Sequence, residues 1–66
     1  MFFKIREARE AADMSQEELA KKSGVSRTII SGLENGAIKN TSVKTLVAIA
    51  QALDTTVDAI FFAGGG

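Results

Sequence analysis

Sixty-six residues, 45 % hydrophobic and 24 % charged, make room for one small globular domain rather than a disordered chain. Cys, Trp, Tyr and His are all absent, which excludes disulfides, thiolate and imidazole chemistry, and the usual zinc ligands. Eight cations balance eight carboxylates, yet residues 21–44 set Lys21, Lys22, Arg27, Lys39 and Lys44 against Glu34 alone, so a chain of zero net charge has a basic middle able to face a polyanion.

Residues 2–12 place Phe2, Ile5, Ala8 and Ala12 on one side at helical spacing, with Arg9 on the same stripe. Ser15-Gln16-Glu17-Glu18 is a capping box with Met14 as its staple, and it predicts a short helix to about Ser23 with Leu19 and Ala20 inward. Gly24 supplies the left-handed position that ends this helix, Val25 is buried in the turn, and Ser26 caps a third helix over residues 26–34 with Ile30 and Leu33 inward. Asn35-Gly36 stops it, and residues 37–40 form a loop.

Thr41 or Ser42 caps a fourth helix over residues 43–53, with Val43, Leu46, Val47, Ile49, Ala50 and Leu53 as a wide apolar stripe. Thr55-Thr56-Val57-Asp58 offers one more cap before a last turn through Phe61. No alternating strand pattern is visible, so the expected fold is all-α, with five short helices over residues 1–63 and a disordered glycine tail over residues 64–66. No apolar run approaches the ~20 residues of a membrane span, and Met-Phe-Phe-Lys turns charged too soon for a signal peptide. The expected location is cytoplasmic.

The second and third helices, joined by Gly24-Val25-Ser26, form a helix-turn-helix. Gln16-Glu17-Glu18-Leu19-Ala20, Gly24-Val25-Ser26, Ile30 and Leu33-Glu34-Asn35-Gly36 resemble the lambda-repressor/Cro-like (Xre-type) helix-turn-helix family, and Leu46, Ile49-Ala50, Leu53 and residues 57–61 are similar to that family's last two helices. The resemblance covers about residues 4–61 and implies a five-helix DNA-binding domain that regulates transcription, usually as a dimer on a palindromic operator.

In such a motif the second of its helices enters the major groove with its first turn at the base edges. The candidate base contacts are therefore Arg27, Thr28, Ser31 and Gly32. Arg27 can hold guanine O6 and N7 with two parallel bonds, and Thr28 can bond a base edge or meet a thymine methyl. Ile29 falls at the groove edge, read either as an apolar contact to thymine or as core. Gln16, Lys39 and Asn40 are candidate phosphate contacts, which set register without reading sequence. The resemblance implies a phosphate contact for Asn35 as well. Lys21 and Lys22 read as a solvated helix end favoured by the dipole.

Arg9 and Glu34 both lie on inward stripes, and opposite charges so placed are expected to pair, because a lone buried charge is costly. Gly32 departs from the family, whose members often carry a long polar side chain there. The loop of residues 36–41 lacks the Pro common in the family, and Asp54 stands where Gly is common.

Phe2, Phe3, Phe61 and Phe62 cluster at the two ends, more than one small core absorbs. Together with Val47 and Ala59 they suggest a homodimer seam on the fourth and fifth helices, which would set the recognition helices ~34 Å apart. The function so read is a sequence-specific, repressor-type regulator, cytoplasmic and nucleoid-associated, with double-stranded DNA and a second copy as partners. No cofactor, metal or enzymatic activity is expected. A protein-interaction module that keeps the fold without specific DNA binding is the alternative, favoured by the zero net charge and by Gly32.

Overall fold

The computed structural model describes residues 2–62, with the backbone alone for Phe2, Phe61 and Phe62. The expected glycine tail, residues 64–66, lies outside the described residues. The order is β1 (Phe2–Phe3), α1 (Ile5–Ala11), α2 (Gln16–Ser23), α3 (Arg27–Asn35), α4 (Val43–Ala52), α5 (Val57–Ile60) and β2 (Phe61–Phe62).

The helices start and stop where local chemistry requires. Ser15 Oγ accepts from the Glu18 N–H at 3.1 Å while a Glu18 carboxylate oxygen accepts from the Ser15 N–H at 2.9 Å, closing the capping box. Ser26 and Ser42 cap α3 and α4 by accepting from the N–H groups of Ile29 and Thr45. Gly24 and Gly36 end α2 and α3 at φ +74° and +85°, where a Cβ would be strained. Asp54, in place of the family's common Gly, takes φ 55°, a conformation that Asp tolerates better than most residues. Thr56, not Thr55, stands before α5 and accepts from the Ala59 N–H at 3.3 Å.

The two chain ends differ from the expected helices. Phe2–Phe3 pairs antiparallel with Phe61–Phe62, with Phe2 opposite Phe62 and Phe3 opposite Phe61, and the Lys4 N–H donates to the Ile60 carbonyl at 2.7 Å. This two-strand clasp takes residues 2–3 out of the first helix and Phe61 out of the last turn. Aromatic residues favour extended backbone where a partner strand is available, and the pairing ties both ends to one core.

That core is Ile5, Leu19, Ile30, Leu33, Ile49 and Ile60, each essentially inaccessible, closed by Phe3, Leu46, Ala50 and Leu53. Burying each of the Ile, Leu and Phe side chains stabilises the fold by about 1.5–3 kcal/mol. Helix α2 packs on α3 and α4, α1 packs on α3 and α5, and β1 also meets α3, so three elements brace α3 and one of its faces stays open. Ala12, expected on the inner stripe, is exposed, because α1 ends one residue earlier. Val43, also expected inside, is 71 % exposed at the first position of α4.

Candidate nucleic-acid interface

The open face of α3 is a groove of about 510 Å³. Arg27, Thr28, Ser31 and Asn35 line it from α3, Gln16 from the first position of α2, and Ile38 from the following loop. Arg27 and Thr28 are exposed, whereas Ser31 is half-buried. The first turn of α3 holds no acidic side chain, so the positive end of that helix is uncompensated and Arg27 adds to it. Glu17 and Glu18, by contrast, occupy the first turn of α2.

A chain of polar contacts runs from this face into the core. Arg27 Nε reaches Gln16 Oε1 at 3.5 Å, a long contact. Gln16 Nε2 donates to Glu34 Oε1 at 3.1 Å. Arg9 grips Glu34 with two parallel bonds, from Nε to Oε2 at 2.8 Å and from Nη2 to Oε1 at 3.1 Å, and its Nη1 donates to the Met14 carbonyl at 2.7 Å. The Arg9 and Glu34 side chains are 13 % and 5 % exposed. Hydrogen bonding to Glu34 raises the Arg9 guanidinium above its ordinary value, so Arg9 stays charged. No buried side-chain polar atom lacks a partner among the described residues. Arg9 thereby joins α1, the loop at Met14 and α3, and Gln16 of α2 joins the same network through Glu34.

Gly32, expected as an exposed candidate base contact, is buried, and it stands in the wall of the same groove. Ile38 lies over it: a Cβ at residue 32 would fall 2.5 Å from Ile38 Cδ1 and 2.6 Å from Cγ1. The Ile38 N–H donates to the Gly32 carbonyl at 2.9 Å. The glycine is therefore a seat for the loop after α3. Ile38 had no signal in the pattern of helices, and an apolar residue in a polar loop six positions after a helical glycine is the trace that could have found it.

The remaining candidates divide between two surfaces. Asn35 is exposed, and its Oδ1 accepts from the Ala37 N–H at 2.8 Å, leaving its amide N–H groups to donate. Lys39 and Asn40 are exposed but line a separate groove of about 330 Å³ with Phe3, Val43 and Val57. Ile29 is 37 % exposed beside Thr28. On the expected dimer seam, Val47 is half-buried and Ala59 exposed, while the side chains of Phe61 and Phe62 lie outside the described structure. Among the described residues no helix is long and apolar enough to cross a membrane, and no cluster of acidic side chains could hold a metal ion.

A helix-turn-helix family model matches residues 5–60. Over 53 residues, 80 % of the chain, the sequence is 40 % identical to control protein C.SmaI of Serratia marcescens. It spans 62 % of that relative's length. Among solved structures, the restriction-modification controller protein C.AhdI from Aeromonas hydrophila matches with a TM-score of 0.80 at 38 % identity, over 88 % of this chain and 86 % of that one.

Proposed function

The chain belongs to the helix-turn-helix family of DNA-binding transcription regulators, and from that premise we propose that it is a sequence-specific regulator that reads the major groove with the first turn of α3, in the role of a restriction-modification controller. The observation that carries this reading is the open groove that brings Arg27, Thr28, Ser31 and Asn35 of α3 together with Gln16 of α2. Arg27 and Thr28 read base edges, with Ser31 one turn further on. Gln16 and Asn35 hold phosphates and fix the register, and Lys39 and Asn40 add backbone contacts from the neighbouring groove. Similarity to two controller proteins supports the assignment of role.

The regulator acts as a homodimer on a palindrome, through α4 and α5 with Val47, Ala59, Phe61 and Phe62, and its place is the cytoplasm, at the nucleoid. Two-fold symmetry matches half-sites one DNA turn apart. Selection of binding sites from random duplexes, read by gel shift at two salt concentrations, tests the reading. A palindromic motif with affinity falling steeply in salt is the expected outcome. A folded protein that captures no duplex at low salt would favour the protein-interaction alternative.

A further inference from the structure

A polar cleft of about 200 Å³ adjoins the groove on α3 and shares Gln16, Ser31 and Asn35 with it. Its other walls are Arg9 and Glu34, which neutralise each other, and Arg6. Arg6 stands on α1, one turn before Arg9, with its side chain 68 % exposed. Its carboxylate partner is Glu10, one turn further along the same helix, at 3.5 Å and itself 58 % exposed. A pair of that kind is held weakly in water and screened by salt. Arg6 is thus a guanidinium at the edge of the proposed interface whose charge is committed only to a loose neighbour.

Resting on the DNA-binding reading above, we propose that Arg6 is a further phosphate contact, extending the polar track from Arg27 across Gln16 onto α1, and that Glu10 competes with the phosphate for it. A guanidinium presents paired donors to a phosphate in the geometry it offers a carboxylate. Exchange of Glu10 for a phosphate oxygen releases a condensed counterion from the duplex, a gain that the Glu10 pair lacks. Being on α1 rather than α3, Arg6 contributes affinity without base preference.

The test is fluorescence anisotropy of the full chain with its selected duplex and with a scrambled duplex, from about 50 to about 200 mM salt. Arg6→Ala is expected to lower the log–log salt slope by about 0.9 for each Arg6 bound, so the affinity lost over that range shrinks about 3.5-fold. Both duplexes should weaken equally, Arg6→Lys should restore the slope, and Glu10→Gln should tighten binding. The Arg6→Ala melting curve should match wild type, since the side chain is exposed. A wild-type slope in Arg6→Ala overturns the proposal, as does weakening confined to the selected duplex. Failure of the wild-type chain to bind either duplex would remove the reading beneath it instead.

Discussion

Gln16 Nε2 donates to Glu34 Oε1 at 3.1 Å, the same oxygen that Arg9 Nη2 holds at that distance. The first residue of α2 is therefore anchored to a largely buried ion pair that also links α1 to α3. Removing one partner leaves the other charge buried and unpaired. Arg9→Ala should destabilise the domain by about 3 kcal/mol or more, a large share of the stability available to a chain this small. Urea denaturation checks it, and a midpoint close to wild type would show that the pair carries little.

Gln16 itself sits at the rim of this network. Gln16→Ala should cost about 1 kcal/mol of stability, a single net hydrogen bond. Its effect on DNA should be larger in proportion, because the side chain stands between Arg27 at 3.5 Å and the ion pair. Binding isotherms at several salt concentrations should show weaker binding with the salt slope and the preferred sequence unchanged, because a neutral amide releases no counterion. An altered preference would mean that Gln16 reads bases or that Arg27 depends on it for position.

Arg27 carries the sharpest expectation for specificity. Its polar neighbours in the groove are hydroxyls and amides, so among the described residues it is the one cation lining that groove. Arg27→Ala should relax base preference at one position per half-site, costing about 1–3 kcal/mol against the preferred base. Repeating the selection with the variant measures this, and an unaltered motif would reassign Arg27 to the backbone.

What was legible in the sequence, and what was not, divides by range of interaction. Ser15, Gly24, Ser26 and Gly36 act within three or four residues of themselves, so the bounds of α2 and α3 follow from reading them in order. Arg9 and Glu34 could be matched because each was a charge on an apolar stripe. The Phe2–Phe3 and Phe61–Phe62 clasp joins the two ends of the chain, and its short aromatic pairs are equally consistent with helix when read locally. Ile38 over Gly32 is hidden for the same reason, since the loop's path back onto α3 is set by tertiary packing. Of the candidate interface, the positions opening α2 and α3 were readable from their caps. The link between Gln16 and Glu34, and the place of Arg6 beside it, needed coordinates.

Gly32 gives a test in which the sign of an effect reverses. In an open helix position Ala is favoured over Gly by about 1 kcal/mol. Here the added methyl meets Ile38 Cδ1 and Cγ1, so Gly32→Ala should destabilise by about 1 kcal/mol or more through overpacking. In an Ile38→Ala background the obstruction is gone, and the same change should stabilise. Thermal melts of the four proteins in the cycle decide it. A stabilising Gly32→Ala in the wild-type background would show that Ile38 has no fixed seat.

The capping box predicts an acid limb to the stability curve. Hydrogen bonding from the Ser15 backbone, and then from its side chain, holds the Glu18 carboxyl below the usual range, with Lys22 and Lys21 adding smaller effects. The folded state therefore releases this proton at lower pH than the unfolded state does. Between the two values the unfolded chain binds more protons, so stability rises with pH there. The contribution is fully present above the ordinary glutamate value and is lost as pH falls through the folded one. Glu18→Gln keeps a side chain able to close the box while removing the titration. Its melting temperature should fall less steeply than that of wild type on acidification. Parallel acid limbs in the two proteins would place the dependence on another carboxylate.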